Sequence, residues 1–167
     1  MSQLRLPLLP LLLIFLASSA RSAPPHIVLI VADDLGWTDL ACFGSRYYRT
    51  PNLDRLARSG MRFTATYTCG PNCAPTRACL MSGQYSPRHG IYTVGSGARG
   101  QAAARKLVPA ANKTILDTKI VTLAETLGTA GYATAHFGKW HLGPPPTAGP
   151  RQQGFDINFG GNRTGSP

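Results

Sequence analysis

The sequence has few acidic residues, with 7 Asp and Glu against 17 Lys and Arg in 167 residues, and its formal net charge is +10. Such an excess attracts anions, including nucleic acids, acidic lipids and sulfated or phosphorylated substrates. The basic residues are scattered, however, and no run is longer than Arg105-Lys106. Because a nucleic-acid-binding module concentrates its basic residues on one face or helix, we expect no nucleic-acid partner.

Long apolar runs are lacking after the N-terminus. Residues 6–17 are largely apolar, follow one early positive charge and lead into small residues ending at Ala23. This order is typical of a secretory signal, and the run is shorter than a membrane span requires. We therefore expect residues 1–23 to be a signal peptide, with an uncleaved anchor as the alternative. The mature chain, 24–167, would then follow the secretory route, to a periplasmic, extracellular or lysosomal location, without a stable membrane span.

Cysteines are few, and their spacing fits no zinc-binding pattern. An exported chain can form disulfides, but the sequence does not give their connectivity. The four cysteines are Cys42, Cys69, Cys73 and Cys79.

One of these cysteines precedes a predicted helix, in the stretch Cys73-Ala-Pro75-Thr-Arg77. A helix N-terminus stabilises an anion, and Arg77 lies one turn further on. From the residues alone, Cys73 is a candidate nucleophile, disulfide partner, metal ligand or site of modification. A structural cysteine beside a solvated arginine is the simpler interpretation.

Strand and helix patterns alternate along the chain, and the β-branched run at 26–32 is typical of a strand buried on both faces of a parallel sheet. This alternation predicts an α/β fold, a sandwich of helices around a mostly parallel sheet. The predicted elements are a strand at 26–32, a helix begun by Thr50-Pro51 and ended by Gly60, a strand at 61–67, a helix through 78–82, a loop at 93–114, a helix with the capping box Thr122–Glu125 that stops at Gly131, a strand within 132–143, and irregular chain at 154–167.

Two polar pairs follow predicted strands, where sites of parallel sheets form. Asp33 and Asp34 are candidate ligands of a hard cation, although an Asx-turn or helix cap explains them equally simply. Lys139 and His141 lie two residues apart and suit an oxyanion substrate, as a fixed positive charge and a proton carrier. The alternative is a pair at the surface. We expect the two pairs to share one pocket.

Four stretches together resemble the sulfatase family. They are "PHIVLIVADDLGW", "TPNLDRLARSGMRFT", "CAPTRACLMSGQYSPRHG" and "GYATAHFGKWHLG", and a "GFD" with a Gly-rich turn follows. The resemblance covers most of residues 26–161 in the family's order. It implies an alkaline-phosphatase-like fold and the hydrolysis of sulfate esters, either aryl sulfates or sulfated glycans.

The resemblance also implies that Cys73 is the site of a modification. In such sulfatases this cysteine is oxidised during export to Cα-formylglycine by a formylglycine-generating enzyme, which would read Pro75 and Arg77. Thr76 stands where serine is commoner. The hydrated aldehyde has two hydroxyls, one to attack the sulfur and one to release sulfate.

The family assigns roles to the other candidates as well. Arg77 would hold the modified side chain and, with Lys139, neutralise the sulfuryl oxygens, while His141 would assist release. Asp33, Asp34 and the modified Cys73 would bind Ca2+, which we expect in preference to Mg2+.

Family members are much longer and supply, further on, an Asp-Asn metal pair and another histidine and lysine. We therefore expect this chain to be the N-terminal part of a sulfatase. The alternatives are a phosphate or phosphonate monoester hydrolase of the same superfamily and an inactive secreted product. Two sequons, at Asn112 and Asn162, would accept glycans in a eukaryotic secretory route.

Overall fold

The computed structural model describes residues 23–165. The predicted signal peptide, 1–23, lies outside the described residues apart from Ala23. The chain divides into two units, with the boundary after Ala32. In the first unit the described residues, 23–32, carry no regular secondary structure. No helix within 23–165 has the length and apolarity that a membrane span requires.

The second unit contains short helices and a small sheet. In chain order these are a 3-10 turn at Ala41–Phe43, α1 at Pro51–Ser59, α2 at Cys73–Ser82, α3 at Ser86–His89, a 3-10 turn at Ala102–Ala104, α4 at Leu123–Thr129, β1 at Ala135–Phe137, a 3-10 turn at Pro150–Gln153 and β2 at Ile157–Phe159. The strands β1 and β2 pair with each other in parallel, with Ala135 opposite Ile157 and Phe137 opposite Phe159.

The predicted helices are present because the residues that begin and end them act on neighbouring residues in the sequence. In α4, the Thr122 hydroxyl accepts from the Glu125 N–H and the Glu125 carboxylate accepts from the Thr122 N–H, which confirms the capping box. In α1, Pro51 occupies the first turn and Gly60 follows the last. Thr50 precedes α1 but does not cap it, because its hydroxyl instead accepts from Ala41 N–H and donates to Asp54.

The strand predictions at 26–32 and 61–67 are wrong. Both stretches are irregular, and large apolar side chains in them are exposed, Val28 by 82% and Met61 by 80%. A strand needs a hydrogen-bonded neighbour, and the sheet of the described residues contains only β1 and β2. Apolar patterning alone therefore does not produce a strand here.

The strand β2 falls in a stretch that the sequence predicts as irregular. Its backbone pairs with β1, and the segment before it is tied down by the Asp156 carboxylate, which accepts from Thr134 N–H at 2.7 Å. A three-residue strand between glycine-rich turns has too short a pattern to be recognised from alternation.

The core of the second unit packs α2 against the segments around β1. Trp140 is the largest fully buried side chain, and its indole N–H donates to the Ala148 carbonyl at 2.9 Å. The ring also meets His136 and Phe155 edge to face. The buried cluster consists of Ala74, Ala78, Ile91, Leu116, Trp140 and Leu142.

Candidate active site

The buried Trp140 positions the two polar residues beside it. Because Trp140 is only 1% exposed and anchored in the core, Lys139 and His141 are held on either side of a fixed point just after β1. The sequence predicts an extended backbone for this pair. His141 instead has φ of 63°, in the left-handed region, so a turn rather than a strand presents its ring.

Asp33 is the point at which two cations converge. The Lys139 ammonium bonds Asp33 Oδ2, and the Arg77 guanidinium lies 3.5 Å from Oδ1. Both cationic side chains are 13% exposed, whereas that of Asp33 is 37% exposed. The hydrogen bond from Lys139 lowers the pKa of Asp33, and the charges of Lys139 and Arg77 act in the same direction against partial burial. Three residues from distant parts of the sequence thus form one charged cluster.

Arg77 also ties the helix α2 to the segment after β1. Its Nη1 donates to the backbone carbonyl of Lys139. Its Nε is buried and has no hydrogen-bond partner among the described residues. An unpaired buried N–H is costly, so Arg77 retains a donor for a group that the described residues do not supply.

His141 faces the same charges. Burial lowers the pKa of His141, and the positive charges of Lys139 and Arg77 lower it further, with Asp33 opposing them. Its Nδ1 is buried and unpaired among the described residues. A neutral imidazole with a free ring nitrogen can exchange a proton with a bound group.

Cys73 opens α2 as a free, half-buried thiol. The preceding loop is fastened to its helix, since the Thr76 hydroxyl donates to the Gly70 carbonyl and lies 3.0 Å from the Thr68 hydroxyl. A side chain at Gly70 would come within 2.6 Å of Thr76 N. The hydroxyl at position 76 therefore has a structural use that threonine and serine can both meet.

A polar network not anticipated from the sequence supports the same loop. Asn72, next to Cys73, donates to the Thr93 hydroxyl at 3.1 Å. The Asn112 amide in turn clamps the segment that holds Thr93: its oxygen accepts from the N–H groups of Tyr92 and Thr93, and its nitrogen donates to the carbonyls of Thr93 and Gly95. The only sequence signal at Asn112 is the sequon, which does not reveal these bonds.

Asp33 and Asp34 offer the type of ligand that calcium prefers, but two carboxylates are too few for its coordination shell. Carboxylate oxygens are the ligands that Ca2+ prefers, and it takes six to eight of them. Within residues 23–165, no three His, Cys, Asp or Glu side chains form a group that could hold a metal ion. Asp34, at φ of 54°, lies outside the ion pairs made by Asp33. Asp33 and Asp34 thus have the oxygen donors that calcium prefers, but by themselves they are too few for its coordination shell.

Comparison with known proteins decides the family. A sequence model of the sulfatase family matches residues 25–166. The chain belongs to the sulfatase family. A sulfatase from Formosa agariphila is 48% identical over 70% of this chain and 23% of its own length. The N-acetylgalactosamine-6-sulfatase of Rattus norvegicus is 39% identical over 95% of this chain and 29% of its own length. Arylsulfatase A of Homo sapiens is 44% identical over 90% of this chain and 28% of its own length.

The fold agrees with this family. The crystal structure of Ps i-CgsB matches with a TM-score of 0.62 and 35% identity over 80% of this chain and 27% of that one. This likeness confirms the predicted α/β class, an alkaline-phosphatase-like fold present in part. The chain spans about a quarter of the length of the sulfatases that it matches.

Proposed function

We propose that this chain is part of an enzyme that hydrolyses sulfate esters, with formylglycine made from Cys73 as its nucleophile. The observation that carries the proposal is the convergence of Arg77 and Lys139 on Asp33, beside the helix that Cys73 opens. Two cations in one partly buried cluster suit an anionic sulfate group. Named sulfatases among the relatives support the substrate class.

The modification is installed by a formylglycine-generating enzyme that reads Pro75 and Arg77 around Cys73. Hydrated formylglycine supplies two hydroxyls on one carbon, so one oxygen takes the sulfuryl group and the other allows its release. The export route provides the compartment for this step, as expected from residues 1–23.

The chain's own residues then share the work of binding and proton transfer. Arg77 directs its unpaired Nε–H to the anionic group, and Lys139 adds a fixed positive charge. Because its pKa is lowered, His141 is neutral at neutral pH and accepts a proton at its unpaired Nδ1. Trp140 fixes Lys139 and His141 relative to each other and excludes water behind them.

Calcium would be held by Asp33, Asp34 and the modified Cys73, together with ligands from beyond these residues. It would neutralise negative charge on the sulfuryl oxygens. In the described residues Lys139 and Arg77 engage the two carboxylate oxygens of Asp33 instead and keep the carboxylate ionised.

The test compares a sulfate ester and a phosphate ester of one phenol, because the leaving group is then the same. The protein is produced together with a formylglycine-generating enzyme and assayed with calcium. We expect turnover of the sulfate to exceed that of the phosphate and to be lost in Cys73→Ala. Faster phosphate turnover would assign the alternative hydrolase, and turnover unchanged by Cys73→Ala would overturn the proposal.

A further inference from the structure

We propose that Cys69 and Cys79 form a disulfide that joins the loop before Cys73 to the helix after it. The inference rests on the proposed function only in requiring that the chain is exported to an oxidising compartment. It concerns the two cysteines that flank Cys73 in the sequence and that the hydrolysis does not use.

The geometry brings the two residues together. The Cys79 sulfur lies 3.8 Å from the Cys69 carbonyl, on the inner face of α2. Burial, followed by interaction with the Cys69 thiol, raises the pKa of Cys79 to about 11, in agreement with this proximity. Since Thr76 and Gly70 already hold this loop on the helix, the approach is built into the fold.

The surroundings of Cys79 suit a sulfur without a hydrogen. His89 is fully buried, and its Nδ1 accepts from the Ile91 N–H at 3.1 Å. Burial lowers the pKa of His89, so the ring is neutral and its proton lies on Nε2. That N–H points at the Cys79 sulfur, 3.4 Å away, which makes the sulfur an acceptor. A disulfide sulfur can fill this role as a thiol does.

Forming the Cys69–Cys79 disulfide requires an oxidant, which is a protein disulfide or a low-molecular-weight disulfide of the secretory route. Cys69 is half-buried and Cys79 is buried, so Cys69 attacks first and forms a mixed disulfide, releasing one thiol of the oxidant. The Cys79 sulfur then attacks the Cys69 sulfur and releases the second thiol. Two protein thiols are oxidised to one disulfide, and one oxidant disulfide is reduced to two thiols.

This pairing has a consequence for the modification. A disulfide between Cys73 and either neighbour would remove the thiol that becomes formylglycine. When Cys69 and Cys79 pair with each other, Cys73 remains as the one unpaired thiol between residues 69 and 79.

The test is disulfide mapping of the full chain, exported from cells and treated with N-ethylmaleimide before lysis. Trypsin cuts after Arg62, Arg77 and Arg88, so Cys69 and Cys73 share the peptide 63–77, whereas Cys79 lies in 78–88. We expect these peptides to be joined without reductant and to separate with it. Fragment masses should place the link at Cys69, and the link should persist in Cys73→Ala but not in Cys69→Ala.

Labelled thiols at both Cys69 and Cys79 in the wild-type chain, or a link to Cys73 or Cys42, would overturn the inference. The same digest reports the state of Cys73 by its own mass, so failure of the disulfide and failure of formylglycine formation are read separately. The wild-type link is measured directly, and a poorly folding Cys69→Ala variant does not affect that result.

Discussion

Asp33 balances the two cations of the candidate site. If Asp33→Asn removes its charge, Lys139 and Arg77 repel each other without a counter-ion, and we expect a loss of about 0.5–1 kcal/mol in unfolding free energy because the carboxylate is partly exposed. Asp34→Asn, which removes the same charge one residue later, is the control. Denaturant unfolding without calcium measures both.

The pH dependence follows from the direction of the Asp33 shift. Because its folded pKa lies below the ordinary 3.8, its stabilisation is complete above that value and is lost as the pH falls through the folded pKa. The difference between wild type and Asp33→Asn should therefore vanish in strong acid. Equal stability of Asp33→Asn and Asp34→Asn at neutral pH would argue against the charge cluster.

Buried histidines give a second pH effect. Burial lowers the pKa of both His89 and His136, so the unfolded chain binds more protons than the folded one as the pH falls below about 6.5. Tm should fall on acidification from neutral pH. His89→Asn retains an acceptor for the Ile91 N–H and removes one titrating group, so the slope of Tm against pH should be smaller.

His26→Asn, the same exchange at an exposed position, is the control variant. A His89→Asn chain with the wild-type slope would contradict the assignment of a neutral, buried His89.

Two glycines near helices respond to the same substitution in opposite ways. A Cβ at Gly70 would lie 2.6 Å from Thr76 N and 2.8 Å from the Pro75 carbonyl carbon, so Gly70→Ala should destabilise by about 1–3 kcal/mol. Gly128 lies inside α4 with open space around it, and Gly128→Ala should stabilise by about 0.5–1 kcal/mol. Thermal unfolding distinguishes the two signs, and a stabilised Gly70→Ala chain would show that the loop does not press on α2.

The hydrogen bonds of Asn112 hold the segment 92–95, so removing them should lower the stability of the chain. The Asn112 amide makes four hydrogen bonds to that segment, so Asn112→Ala should cost about 1–3 kcal/mol. Asn112→Asp retains the oxygen that accepts from Tyr92 and Thr93 but places a second acceptor oxygen against the carbonyls of Thr93 and Gly95, so its loss should be no smaller. An Asn112→Ala chain as stable as the wild type, measured by thermal unfolding of unglycosylated protein, would contradict the clamp.

The helices could be predicted from the sequence because their signals lie within a few residues. The capping box of α4 and the proline at the start of α1 act locally, and both helices begin where those signals stand. The strands depend on distant partners: 26–32 has the strongest strand pattern yet forms no strand, whereas β2 forms with little pattern because β1 pairs with it.

For the candidate site, the sequence predicts that Asp33 and Lys139 share a pocket, and the structure pairs them. The resemblance places Arg77 in the same site, but it does not predict the ion pair of Arg77 with Asp33, or the support that Asn72 and Thr93 give to the loop at Cys73, because these contacts depend on how segments pack. The modification and calcium remain predictions from the resemblance.

Across the whole molecule, basic residues are scattered along the sequence, but two cations are concentrated and partly buried around one carboxylate. The chain spans about a quarter of the sulfatases that it matches. In the part of the chain that the structure describes, no group of three His, Cys, Asp or Glu side chains could hold a metal ion. The chain's proposed contribution is the nucleophile, its helix and the cationic cluster. The state of Cys73 is therefore what most needs measurement.

That measurement is the mass of the tryptic peptide 63–77 after production with a formylglycine-generating enzyme, digestion without alkylation, and reduction to release the peptide from 78–88. We predict a peptide in which Cys73 has lost sulfur and two hydrogens, gained one oxygen and no longer reacts with thiol reagents. The Arg77→Ala variant, with its peptide then extending to Arg88, should keep the thiol. A wild-type Cys73 that stays a thiol or enters a disulfide under these conditions would contradict the proposed function.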